Sequence, residues 1–185
     1  MDKQKTAGPR ANALKRELVF AAEVSSRAPA AAVYDLLTDV RSHIEWGGKR
    51  QKRSTRLITV AAPEGPASVG TEFATTGSDE VGMFTDRSVV TEARGASLFE
   101  FVTEAHLEMK KGKVADWTIV HRYQLSDTPV GCRIAYAARV TRISALPGKL
   151  SMFDVPGLGA LLSKVASGVA RRGTTNLARL AEERA

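Results

Sequence analysis

Between residues 53 and 143 the chain repeats one pattern: apolar side chains at every second position, in run after run, separated by short turn signals. Residues 97–107 (SLFEFVTEAHL) show it most plainly. Phe99, Phe101, Thr103 and Ala105 fall on one side, and Glu100, Glu104 and His106 on the other. That is the alternation of an antiparallel strand with one wet face. Residues 115–125 give Trp117, Ile119, His121, Tyr123 and Leu125 one parity, and residues 132–143 do the same for Ile134, Tyr136, Ala138 and Val140. Earlier runs cover 53–61, the TEFATTG segment and 82–93. Pro63, Gly65 and Pro66, then Arg94–Gly95, the KKGK tip at 110–113, and Asp127 to Gly131 supply the turns. Six short strands joined this way predict one antiparallel meander.

The flanks differ. Residues 16–25 (RELVFAAEVS) read as a first strand, with Leu18, Phe20, Ala22 and Val24 on one face. Pro29 suits the first turn of a helix in which Ala30, Val33, Leu36 and Leu37 recur at helical spacing. Residues 39–46 (DVRSHIEW) predict a second short helix, ended by Gly47–Gly48. Beyond Pro147–Gly148 and Pro156–Gly157, residues 157–184 read as one long helix. Its apolar positions include Leu158, Leu161, Leu162, Val165, Val169, Leu177 and Leu180. Gly168, Gly173, Thr174 and Thr175 interrupt that stripe, and each Gly costs up to about 1 kcal/mol of helix propensity relative to Ala. Close approach of another surface or of a ligand would compensate.

The predicted class is α+β: a curved antiparallel sheet of about seven strands around a long C-terminal helix, with two short helices after the first strand. Space between sheet and helix, lined by apolar and aromatic groups with a few polar ones, is a natural small-molecule pocket. Residues 16–185 form one domain in this reading, and residues 1–15 a disordered basic arm. The segment Ala28, Pro29, Val33, Tyr34, Leu36, Leu37, Asp39 and Trp46 resembles the N-terminal signature of the START-like, helix-grip superfamily. Val69–Gly70–Thr71, Val90 and Glu92, Trp117 to Leu125 and NLARLAEE (Asn176 to Glu183) extend the resemblance over residues 16–183, nearest to the polyketide cyclase/dehydratase-like branch. The resemblance implies a hydrophobic cavity that binds a lipid or polyketide-like molecule. Its alternative is a cyclase, aromatase or dehydratase acting on a chain held there. The fold serves carriers, sensors and enzymes alike.

The chain has 185 residues and a formal net charge of +7. The basicity is local. Residues 1–16 carry +4 and residues 49–56 (KRQKRSTR) carry +5, so the remainder sums to −2. Neither basic segment contains an aromatic residue, which argues against nucleic-acid binding. Lys49, Arg50, Lys52, Arg53 and Arg56 follow Trp46. They could form a rim that meets an acidic carrier protein or an anionic surface, or a solvated sheet edge. No transmembrane run or signal-peptide pattern is visible, so a cytoplasmic location is expected. The single Cys132 excludes an intrachain disulfide and a multi-cysteine metal site, and no metal or cofactor is expected.

His121 and Tyr123 share the apolar parity of their strand, so they are candidates for acid–base work or carbonyl polarisation, or simply wall residues. Arg87 joins them if its face of the strand at 82–93 points inward. The sequence leaves that face open. His43, among charged neighbours, is expected in solvent, and His106 on the outer face. The predicted ligand wall comprises Trp46, Phe73, Phe99, Phe101, Trp117, Ile119, His121, Tyr123, Tyr136, Leu162, Val165 and Val169. Each of the aromatic residues also reads as ordinary core.

Overall fold

The computed structural model describes residues 12–50, 56–78, 82–109, 112–144 and 158–185. Side chains are described from Leu18 onward in the first strand and from Ser167 onward in the last helix. The order is β1 (Asn12–Ser26), α1 (Ala30–Thr38), a 3-10 turn (Val40–Ser42), a π-helical turn (Glu45–Lys49), β2 (Arg56–Ala61), β3 (Glu72–Ser78), β4 (Gly82–Arg94), β5 (Leu98–Met109), β6 (Val114–Thr128), β7 (Gly131–Ile143) and α2 (Leu158–Arg184). The seven strands form one antiparallel sheet in the order β1-β7-β6-β5-β4-β3-β2. Strands 2 to 7 thus run as the predicted meander, and β1 closes against β7. The arrangement is α+β, with the long helix on the concave side of the sheet.

β1 starts at Asn12, four residues ahead of the expected strand. The rest of the expected N-terminal arm, residues 1–11, lies outside the described residues.

Alternation fixes which side chains face α2. On β5 and β6 the inward set is Phe99, Phe101 and Thr103, and Tyr123 and Leu125. Pairing carries that face to Ile134, Tyr136 and Ala138 on β7, and to Leu18, Phe20 and Val24 on β1. The β6–β7 register skips Thr141, and this bulge turns Ile143 inward beside Val140. Two apolar clusters result. The larger joins α1 (Val33, Leu36, Leu37), Trp46, Phe73, Phe99, Phe101 and Leu125 to Leu177, Leu180 and Ala181 of α2. The smaller holds Leu18, Val140 and Ile143, with Phe20, Trp117 and Ile119 against them.

The glycine pair lies within the π-helical turn instead of ending a helix. Gly48 is needed there because β2 passes close by: a Cβ would lie 2.5 Å from the Leu57 carbonyl oxygen. A Cβ on Gly168 would meet nothing within 4 Å, so no tight contact requires that glycine. Thr174 is buried, and its Oγ1 donates to the Ala170 carbonyl oxygen at 2.9 Å, which satisfies the hydroxyl inside the helix.

α1 begins at Pro29, which has no capping side chain of its own. The cap comes from the opposite end of the sequence: the Ala30 amide donates to Asp127 Oδ1 at 3.1 Å, from the β6–β7 hairpin. A side-chain cap of this kind contributes about 1 kcal/mol. Asp127→Ala is therefore expected to lower unfolding stability by about 1 kcal/mol in urea titration. An unchanged midpoint would show that the hairpin does not cap α1.

Candidate functional site

The concave face is not uniformly apolar. Between its two clusters, strand pairing places polar side chains in adjacent rows. Ser88 Oγ and Thr103 Oγ1 are 2.8 Å apart and buried. Thr75 Oγ1 donates to Asp86 Oδ2 at 3.3 Å in the neighbouring row. His121 Nδ1 lies 2.8 Å from the Tyr136 hydroxyl. His121 also stacks on Phe101, with ring centroids 4.7 Å apart and planes 17° from parallel. Tyr123 packs against Tyr136 at 4.6 Å.

Two kinds of wall residue can be told apart. Phe99 and Tyr123 are fully packed. His121, Tyr136, Trp117 and Ile119 face the same way yet keep accessible surface, as do Phe20, Phe84 and Asp86. These inward-facing groups differ from Phe99 and Tyr123 in keeping surface that the described residues do not cover. A separate depression outside the sheet, between Tyr34, Asp35, Thr38, Asp39 and residues 65–67, contains none of these residues.

Of the expected wall residues, Phe73, Phe99, Phe101, Trp117, Ile119, His121, Tyr123 and Tyr136 come together on the concave face. Trp46 is buried inside the larger cluster, against His43 at 4.8 Å and Tyr123 at 6.3 Å. Asn176 of α2 donates to its carbonyl oxygen at 3.2 Å. Val169 is half-buried on α2, whereas the side chains of Leu162 and Val165 lie outside the described residues.

One open question is answered and one expectation is overturned. Arg87 is exposed, because Ser88 and Val90 take the inward positions of β4 and pair with Thr103 and Phe101. It cannot hold a ligand on this face. His43 is buried rather than solvated, since the 3-10 turn after α1 rotates it into the aromatic cluster. Its Nε2 lies 2.8 Å from the Leu37 carbonyl oxygen. A carbonyl only accepts, so Nε2 carries the proton and Nδ1 is the free acceptor. His106 is on the outer face, with Nδ1 2.6 Å from Asp116 Oδ1.

One inward residue was missed. Asp86 shares its face with Phe84, Ser88 and Val90, and its Oδ1 is buried without a hydrogen-bond partner. The same holds for Trp117 Nε1 and Trp46 Nε1. The available signal was an acid sharing parity with Phe84 and Val90. It could be used only once the inward face of β4 was known.

Electrostatics follow from enclosure. Burial pushes the Asp86 carboxyl up to about 7, partly offset by the Thr75 hydrogen bond. Burial lowers His43 to about 4, opposed by the Leu37 carbonyl. Burial, and then the neighbouring His43, lower His121 to about 4. Both imidazoles are neutral at pH 7. Burial raises Tyr136 and raises Tyr123 strongly, so both phenols remain protonated donors.

In the basic segment, Arg50 is occupied: its guanidinium donates to both carboxylate oxygens of Glu183 on α2. Lys49 and Arg56 are exposed. Lys52 and Arg53 lie outside the described residues. Among the described residues no group of His, Cys, Asp and Glu could hold a metal ion. No helix among them is long and apolar enough to cross a membrane.

Neither a protein-family model nor a curated protein matches the sequence. Solved structures do match its fold. A Staphylococcus aureus protein of unknown function superposes with a TM-score of 0.63 at 8% identity, covering 91% of this chain and 95% of its own. An uncharacterized Rhizobium leguminosarum protein gives 0.59 at 12% identity, with 92% and 97% covered. Ara h 8.0201 gives 0.53 at 13% identity, with 90% and 98% covered. The chain has the START-like helix-grip fold. In this helix grip the expected seven-strand sheet and C-terminal helix are present from end to end.

His43 and His121 set the acid limb of stability. Each is protonated in the unfolded chain below about 6.5 but stays neutral in the fold down to about 4. Their contribution is complete above pH 6.5 and is lost as pH falls to 4, by about 3 kcal/mol for His43. His43→Gln should flatten the loss of thermal midpoint between pH 6.5 and 4. An unchanged slope would mean that His43 ionises freely in the folded protein.

Proposed function

We propose that this helix-grip protein binds an apolar small molecule, lipid-like or polyketide-like, between the concave face of its sheet and α2. One observation carries the reading. Asp86 Oδ1 and Trp117 Nε1 are buried without partners on a face that otherwise presents apolar and aromatic groups. Native proteins rarely leave buried polar atoms unpaired, because each costs about 1–3 kcal/mol. A bound molecule would recover part of that cost while covering Ile119, Phe20 and Tyr136. The affinity for such a ligand comes from apolar area, and the few polar atoms fix its orientation.

Native mass spectrometry of the purified protein should reveal a co-purifying small molecule. Fatty alcohols, sterols or aromatic polyketides should raise the thermal midpoint. At a free concentration 100-fold above Kd the stabilisation is about 2.7 kcal/mol, a shift of roughly 5 °C or more for a domain of this size. The reading fails if no molecule co-purifies and no class of apolar ligand shifts the midpoint.

A second reading, a cyclase or dehydratase, is favoured by the His121–Tyr136 contact. A neutral imidazole coupled to a protonated phenol can donate hydrogen bonds to a carbonyl as negative charge develops on it. Asp86 does not complete an acid–base pair with His121. It lies two strands away and four residues along the strand direction, roughly 16 Å between Cα atoms. Catalysis would rest on the imidazole–phenol pair. The protein should then cyclise a poly-β-ketone faster than the spontaneous rate, and Tyr136→Phe should remove about tenfold or more of that acceleration. A wild-type rate equal to the spontaneous one excludes this reading.

A further inference from the structure

One row of the concave face crosses four neighbouring strands: Thr75, Asp86, Ala105 and Trp117 are successive cross-strand partners. Thr75 holds Asp86 Oδ2, and Oδ1 is left buried as an unfilled acceptor. On the other side of Ala105, the indole Nε1 of Trp117 is an unfilled donor. Ala105 contributes only a methyl group. The row therefore carries its smallest side chain between two larger ones whose Cα atoms are two strand spacings, roughly 10 Å, apart. A hydrogen-bond acceptor and a hydrogen-bond donor flank one small residue, and neither is satisfied by the protein.

We propose that Asp86 and Trp117 form the polar anchor of the ligand space and select a neutral hydroxyl, an alcohol or phenol, on an otherwise apolar molecule. This rests on the reading that the space binds a small molecule. A hydroxyl is the smallest group that both donates and accepts. Its proton goes to Asp86 Oδ1, and its lone pair receives the Trp117 N–H. If Asp86 carries a proton, the same hydroxyl can accept from it, but its own proton then loses its partner, so the full match belongs to the ionised carboxyl. Burial holds that carboxyl near 7, where both states are populated. Other head groups fit less well. A carboxylate brings a second negative charge beside Asp86, and one of the two must take up a proton. An ammonium brings three donors to a single free oxygen, and its remaining hydrogens stay unpaired in a buried site. A plain hydrocarbon leaves both protein atoms unfilled.

Calorimetric titration of the full chain with two ligand sets tests this: naphthalene, 2-naphthol and 2-naphthoate, then 1-dodecanol and dodecanoate. Each hydroxyl compound should bind at least about tenfold more tightly than its carboxylate, and 2-naphthol at least about tenfold more tightly than naphthalene. Asp86→Ala and Trp117→Phe should each reduce 2-naphthol to the affinity of naphthalene while changing naphthalene itself less than about threefold. Asp86→Ala removes a carboxyl whose buried Oδ1 has no partner, so its thermal midpoint should equal or exceed that of the wild type. Ala105→Leu enlarges the small side chain between them and should abolish the preference for 2-naphthol without involving either polar group. Equal affinities for 2-naphthol and naphthalene in the wild type, or a preference that survives Asp86→Ala, would overturn the anchor and leave small-molecule binding intact. If no compound of either set binds, the anchor falls, and the binding reading is decided by the co-purification and thermal-shift experiments above.

Discussion

The structure depends on one docking contact: the C-terminal half of α2 against the concave face. Leu177 and Ala181 are completely buried there, and Leu180 nearly so. Each leucine buried in this way contributes about 1.5–3 kcal/mol. Polar ties then fix the helix in register. Glu182 accepts the Arg27 amide at 2.8 Å at the end of β1, and Ser26 donates to the Ala178 carbonyl. Asn176 holds the Trp46 carbonyl, and Arg184 reaches Glu45 at 2.8 Å. β1 is an edge strand, and α2 covers it as well: the Ala21 amide donates to Ser167 Oγ. One helix thus closes the core, protects a sheet edge and anchors the π-helical turn that positions Trp46.

That division of labour leaves a packed core and a more polar belt on one concave face. The aromatic cluster around Trp46, Phe73, Phe99 and Phe101 is tightly closed by α1 and by the end of α2. The polar belt formed by Thr75, Asp86, Ser88, Thr103, His121 and Tyr136 lies beyond it. Most of its members are satisfied within the sheet, through the Ser88–Thr103, Thr75–Asp86 and His121–Tyr136 pairs. The exceptions on this face are Asp86 Oδ1 and Trp117 Nε1, in one row on either side of Ala105. A protein that spends stability on buried, unpaired groups at one place departs locally from the pattern of the rest of its core. Such departures are characteristic of functional sites.

Much of this was legible in the residues. Strict alternation in β5 and β6 marked Phe99, Phe101, His121 and Tyr123 as inward, because a strand has a period of two and only one apolar face. The C-terminal helix emerged equally clearly from its spacing of three and four. Other features were not legible, for identifiable reasons. β4 carries mixed polar and apolar residues on both faces, so its own pattern could not choose between Arg87 and Asp86. Pairing with β5, whose face is unambiguous, made the choice. His43 misled because its sequence neighbours are charged. The 3-10 turn breaks the helical phase that would have kept it with them. The Asp127 cap on α1 joins positions 97 residues apart, a distance at which sequence spacing has no bearing.

The sequence by itself determined the element order, the antiparallel meander and the identity of the covering helix, since these follow from local periodicity and turn chemistry. It also determined that the basic charge is confined to two segments. Only the tertiary structure decided which face of β4 turns inward, where the bulge at Thr141 redirects the end of β7, and that Arg50 is engaged with Glu183. It alone placed an acid, a methyl group and an indole side by side across three strands. The physical reason is that backbone pairing sets strand register, and register brings together residues that no local pattern relates.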